Sequence, residues 1–192
     1  MDIVTRAKGL ILRPREEWYR IAAEPATTGG LFTSYAMPVA AVPAVAGFIG
    51  GALIAGTMGM RFGMPGIGIG IGTLLLHSIS AYLLGLAGVW VLGKIVQALA
   101  PRFGGTGDEV AAMKLAVYSP TAAWLAGVFA IVPPLAILGI LGLYSLYIFH
   151  QGAPVVAGVS ADRALGFTAL VVLCAIVVNI LVAMLAGCVL WV

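Results

Sequence analysis

Long stretches of the chain run apolar with no charge at all, and short clusters of charge separate them. Tyr35 to Thr57, Thr73 to Gly93 and Ala164 to Val192 each carry no Asp, Glu, Lys or Arg. Uncharged apolar runs of about 18 or more residues are long enough to cross a bilayer as helices. A fourth uncharged stretch, Leu115 to Phe149, is broken by Pro133-Pro134. Two successive prolines remove two backbone donors and stop a helix, so this stretch reads as a hairpin of two spans. The pattern predicts five spans, near 35–57, 73–93, 115–132, 133–149 and 164–192. The arm after Pro133 is short for a span.

Residues 3 to 22 follow a different rule. On a helix at 100° per residue, Ile3, Val4, Ala7, Leu10, Ile11, Pro14, Trp18, Ile21 and Ala22 share one stripe. Arg6, Arg13, Glu16, Arg20 and Glu24 fall opposite, and Lys8 and Arg15 flank the stripe. Pro14 suits the first turn of a helix and not its interior, so two short helices are expected. A helix with Trp on its apolar face and Arg beside it is expected to lie flat in the membrane interface. The predicted organisation is therefore an amphipathic segment over 1–34 and a five-span domain over 35–192. The fold class is all-α, integral to the membrane. Arg13, Arg15, Trp18 and Arg20 are the candidate contacts with lipid or with a partner protein.

Composition agrees. The chain is 62% hydrophobic and 9% charged, with a mean hydropathy of +1.12. A soluble domain is about a quarter charged, so lipid is the expected solvent. Charge then sets orientation. Arg6, Lys8, Arg13, Arg15, Arg20, Lys94, Arg102, Lys114 and Arg163 fall on one side of the predicted spans, and Arg61 alone falls on the other. The side richer in Lys and Arg is expected to be cytoplasmic, which places the C-terminus outside. The first 34 residues lack an apolar core long enough for a cleavable signal, so the first span is the expected insertion signal. No basic stripe interleaved with aromatics points to nucleic acid.

Several local signals complete the reading. Thr106-Gly107-Asp108-Glu109 has the capping-box spacing, with Thr106 expected at the cap, and Pro120 is expected to bend the helix that follows. The loop FGMPGIGIGIG over 62–72 lacks the Lys-Ser/Thr ending of a phosphate loop and reads as a flexible connection. Gly47 to Gly51 and Ala52 to Gly56 are small-xxx-small spacings that suit close helix packing, within the bundle or between copies of the chain. Cys174 and Cys188 share one helix about 20 Å apart and are not expected to bridge.

Polar side chains inside a span are costly and therefore candidates for function. These are His77, Ser78, Ser80 and Asn179. Water or a backbone carbonyl would satisfy His77. Asn179 is expected to bond a neighbouring helix, and His150 to sit at the interface. No nucleophile stands beside a base, and no set of ligands suits a metal, so neither enzyme chemistry nor a cofactor is expected.

The pieces PREEWYRIAAEP, RFGG (102–105), AVYSPTAAWLAG (116–127), the Pro133-Pro134 hairpin, LYSLYIFHQGAP (143–154) and SADRA (160–164) occur in an order that resembles the Yip1 domain family in its bacterial form. The resemblance spans roughly residues 10 to 185. Tyr118-Ser119-Pro120 is similar to the tyrosine-to-proline motif at that family's third span, while the Asp-Leu-Tyr-Gly-Pro motif of eukaryotic members is absent. The resemblance implies five spans, a cytoplasmic N-terminus and a bacterial inner membrane, and it brings no catalytic residues. The functional expectation is a non-catalytic scaffold or accessory subunit of a membrane complex, as a homo-oligomer or beside another membrane protein. The alternative is a channel or carrier for ions or small solutes.

Overall fold

A computed structural model describes residues 2–62 and 70–188, with side chains of 56–62 excepted. The glycine-rich loop thus lies outside the described residues, apart from its two ends. The described residues form helices joined by short turns and loops, without strands. Five helical stretches are long and apolar enough to cross a membrane: Thr28–Ala55, Ile71–Phe103, Glu109–Ile131, Pro133–Val156 and Ala164–Cys188. The expected number of spans holds, and the first helix begins at Thr28 rather than Tyr35.

The N-terminal segment is two helices, α1 (Ile3–Leu12) and α2 (Pro14–Ala23), with Pro14 in the first turn of α2. The break falls at Arg13, where sequence placed it. Next come α3 (Thr28–Leu31), a π-helical turn (Phe32–Ala36) and α4 (Met37–Phe62). Pro38 has no N–H to give, and Met37 N–H reaches back to Phe32 O, one residue farther than in an α-helix. The remaining elements are α5 (Ile71–Leu99) with a 3-10 turn (Ala100–Phe103), α6 (Glu109–Tyr118), α7 (Thr121–Ala126), 3-10 segments Gly127–Ile131 and Pro133–Leu143, α8 (Tyr144–Val156) and α9 (Ala164–Cys188).

The core is not spread evenly along the bundle. Half of the apolar window of Glu109–Ile131 is buried (50%), against 11–22% in the other four spans, so this span is the axle. Its buried residues, Met113, Leu115 and Val117, meet Trp18, Ile21, Val96, Ile148, Phe149 and Phe167. All of these lie toward the end that carries the basic loops. The opposite half leaves large apolar side chains uncovered, such as Ile137, Ile176 and Leu76. Lipid satisfies such surface as well as protein does.

The loops at the basic end interlock. Gly104 adopts φ +81°, where a Cβ would be strained and would also meet Ser160 Oγ at 2.5 Å. That turn lets Gly105 N–H reach Ala100 O at 2.9 Å and Thr106 N–H reach Ala157 O at 2.8 Å. Thr106 is thereby drawn to the α8–α9 loop, and it does not cap α6 as the sequence reading expected. Asp108 is the cap, accepting from Ala111 N–H at 2.7 Å. Glu109 instead pairs with Lys94 of α5 at 3.0 Å.

Small residues act where helices touch, though only partly where expected. A Cβ on Gly50 would overlap the Ala130 carbonyl, and one on Gly51 would meet Leu74 at 3.3 Å. Gly47 meets nothing. Cys174 and Cys188 are free.

Candidate functional site, the docked N-terminal hairpin

Trp18 sits at the centre of the strongest polar and aromatic cluster. It is 0% exposed. Its indole N–H donates to Ile148 O at 2.8 Å. This corrects the reading of Trp18 as a contact with lipid or a partner. Most of the apolar stripe of the α1–α2 hairpin, from Ala7 to Ile21, packs on α8 and the axle helix, while Val4 and Ala22 stay exposed. Gly152 makes room: a Cβ there would stand 2.5 Å from the indole and 2.7 Å from Leu115.

Tyr118, in the Tyr-Ser-Pro motif, is the hub. Trp18 meets its ring edge-on at 6.3 Å, and Tyr35 meets it at 4.7 Å. The Arg6 guanidinium lies over the same ring, 5.6 Å from its centroid. The Tyr35 hydroxyl is 2.9 Å from Thr121 Oγ1, which donates to Tyr118 O at 2.6 Å. These bonds span the bend at Pro120, where the helix lacks a backbone donor.

Arg6 is a second correction. The helical projection placed it on the polar face, yet it is 3% exposed. Its guanidinium bonds Glu17 Oε1 at 2.6 Å and also bonds Glu24. Burial works against the Arg6 charge, but the bond to Glu24 and the nearby carboxylates outweigh it and hold the pKa above its ordinary value. The bond from Arg6 holds the Glu24 carboxyl below the usual carboxylate range. Lys114 completes the lock: its ammonium donates to Ile21 O at 2.7 Å and to Glu24 O at 2.6 Å. A cation at the last carbonyls of α2 satisfies groups that the helix end leaves open and suits the helix dipole. A cleft of about 510 Å³ lies beside this cluster, between the hairpin and the first span, with Arg6, Glu24, Ser34, Tyr35 and Tyr118 in its wall.

The other sequence candidates distribute as follows. Arg13, Arg15 and Arg20 are exposed. Arg13 pairs with Glu16 at 3.6 Å and Arg20 with Glu17 at 3.3 Å. His77 Nδ1 donates to Ala186 O of α9 at 2.9 Å, one of the two partners expected for it. Ser78 lines a separate recess with Phe48 and Tyr82, and Ser80 is half-buried on α5. His150 Nδ1 lies 3.2 Å from Thr168 Oγ1. Asn179 corrects the last expectation: its amide donates to Ala175 O of its own helix at 2.8 Å and not to a neighbour. Among the described residues no three His, Cys, Asp or Glu side chains gather as a metal site would require.

Sequence reasoning missed Arg6, Glu17, Glu24, Lys114 and Gly152 as members of this cluster. Lys114 carried a signal, since it is the one charge in the run Val110 to Phe149. Nothing in the spacing of Arg6 and Glu17 announced their pairing.

No curated protein and no solved structure matches the chain. The Yip1 domain model does, over residues 8–186. That range begins midway through the first helix of the docked hairpin and takes in its second helix, the Tyr118 hub and the five candidate spans but for the last two residues of the fifth, and the chain belongs to the Yip1 domain family.

Proposed function

We propose that this protein is a non-catalytic scaffold or accessory subunit of a membrane complex in the bacterial inner membrane. The basic end faces the cytoplasm and the C-terminus the periplasm, following the distribution of Lys and Arg. The observation that carries the reading is the two-faced hairpin. Its inner face is bolted down by Trp18, the Arg6–Glu17 pair and Lys114. Its outer face presents Tyr19, 57% exposed, and Leu12, 75% exposed, beside Arg13, Arg15, Glu16 and Arg20. A rigid surface that mixes an aromatic with arginines has the composition of a protein contact, because little ordering entropy remains to be lost on binding. The partner is another membrane protein or a second copy of this chain.

A channel or carrier is the second reading. The polar groups that would line a path lie apart: His77 is tied to α9, Ser78 faces its own recess, and Asn179 lines a third space. The test is gentle extraction through a C-terminal tag, with the particle mass measured and the companions identified. A stoichiometric companion, or a second copy, lost on Arg15→Ser with Tyr19→Ser at an unchanged melting temperature, supports the scaffold reading. A lone protomer that conducts solute in liposomes refutes it.

A further inference from the structure

Between α5, α7, α8 and α9 lies a cavity of about 320 Å³, enclosed mainly by Val89, Leu92, Trp124, Phe149, Val171 and Val182. No charged residue lines it. Three polar side chains do: Ser119, Ser145 and Asn179. Their hydrogen-bonding capacity is not used up. The Ser119 hydroxyl is buried with no partner, the one such side-chain atom among the described residues. Ser145 Oγ accepts from Ala123 N–H at 2.9 Å, which leaves its own proton to donate. Asn179 donates one amide proton to Ala175 O, and its second proton and its carbonyl oxygen remain.

Unspent polar groups are expensive inside a membrane, where no bulk water can satisfy them. Packing does not explain the Ser119 hydroxyl, which has no partner, or the spare capacity of Asn179; Ser145 at least satisfies the Ala123 N–H. We propose that this cavity binds one neutral, lipid-soluble molecule with an apolar body and a hydroxyl or carbonyl oxygen, which takes Ser119 and Asn179 as its hydrogen-bond partners. The volume is at the low end of the range for small-molecule sites, about 300–1,000 Å³. The uncharged lining excludes ions and phosphate-bearing headgroups, whose desolvation nothing here would offset. Entry is from the bilayer, because the walls are spans whose outer faces are apolar.

Gly85 offers a clean way to fill the site. It lines the cavity, and a Cβ there meets nothing within 4 Å. The experiment places the protein in zwitterionic phosphatidylcholine nanodiscs and compares two photoactivatable probes, a diazirine-bearing octanol and a diazirine-bearing octane. The octanol probe is expected to label peptides from 116–124 and 171–182 and to be displaced by excess 1-octanol but not by octane. Gly85→Leu is expected to abolish that labelling, and Ser119→Ala with Asn179→Leu to lower it about thirtyfold, as loss of two net hydrogen bonds implies. Asn179→Leu alone, at an exposed helical position, serves if the double variant does not fold. Equal labelling by both probes, unchanged in these variants, would make the cavity an ordinary lipid-facing groove. An octanol probe without site-selective labelling of the wild type would leave it to water alone. Either result overturns the proposal.

Discussion

Trp18→Ala tests whether the hairpin is held by its buried face. The side chain is fully buried, donates one hydrogen bond to Ile148 O and fits above Gly152. Emptying a buried Trp site costs about 3–5 kcal/mol, and a net hydrogen bond adds about 1 kcal/mol. The loss should fall on docking rather than on the whole bundle, because the hairpin's α2 packs mainly on α8, while α9 packs chiefly on α5. At 1.4 kcal/mol per factor of ten, the docked population should drop by roughly seven-hundredfold to twenty-thousandfold. Hydrogen exchange in nanodiscs reads this directly. Amides of residues 3–23 should exchange at least about a hundredfold faster in Trp18→Ala, while those of 164–188 keep their wild-type rates. Trp18→Phe keeps most of the packing and loses the N–H, so about a tenfold change is expected.

Two outcomes would sink the reasoning. If exchange over 3–23 rises less than tenfold in Trp18→Ala, the buried ion pair alone holds the hairpin and the indole only fills space. If exchange rises equally everywhere, the hairpin is part of one cooperative core and not a docked element.

Three further outcomes follow from the same site. Gly152→Val should undock the hairpin as thoroughly as Trp18→Ala, since its side chain would occupy the indole position 2.5 Å away; the same exchange measurement reads it. Arg6→Met leaves the buried Glu17 with only the exposed Arg20 for a partner, at a cost of up to about 3–5 kcal/mol, whereas Arg6→Met with Glu17→Leu should recover much of that loss, visible as a restored melting temperature. The Glu24 carboxyl is lower in the folded state than its ordinary 4.5. Its contribution is therefore complete above that value and disappears as pH falls through the lowered one. Hairpin protection should hold from neutral pH down to the ordinary carboxylate value and weaken as pH falls below it, with Glu24→Gln flattening that acid limb.

The spans and the break at Pro14 were legible because they depend on properties each residue carries alone: hydropathy, charge and the missing proline donor. The hairpin's fate was not. Periodicity identified an apolar stripe correctly, but it does not say whether lipid or protein covers that stripe. The deciding fact is Gly152, some 130 residues away, which leaves a hole of the right size for an indole. Arg6 misled for a related reason. A projection ranks an arginine as polar whatever it meets, and Glu17 on α2 turns it inward. Thr106 matched a capping box locally, and a carbonyl at Ala157 outbid that role. Each failure lies where a distant residue decided the outcome. Asn179 differs, since it found its partner on its own helix one turn back.

The short fourth span shows how backbone geometry answers a difficulty visible in the sequence. Eleven residues, Pro133–Leu143, precede α8. As an α-helix they would rise about 16 Å at 1.5 Å per residue, and as a 3-10 helix they rise about 22 Å at 2.0 Å. The tighter helix thus lets a proline-broken hairpin reach deeper for the same number of residues. It also lines up side chains three apart, because positions i and i+3 eclipse. Ile137, Ile140 and Leu143 follow that spacing and are 75%, 63% and 62% exposed, and Leu135 and Leu141 off that line are exposed as well, so the segment offers lipid an apolar surface on most of its sides. Such a long 3-10 run is uncommon in water, where the solvent competes for its poorer hydrogen bonds. Lipid offers no competing donor or acceptor, so the backbone keeps its own bonds. The far half of the bundle therefore holds its shape through the hydrogen bonds of each helix, together with the close Gly50–Ala130 approach and the His77–Ala186 bond between helices. The basic end holds its shape through side chains packed between helices, and the substitutions that separate the helices should cluster there.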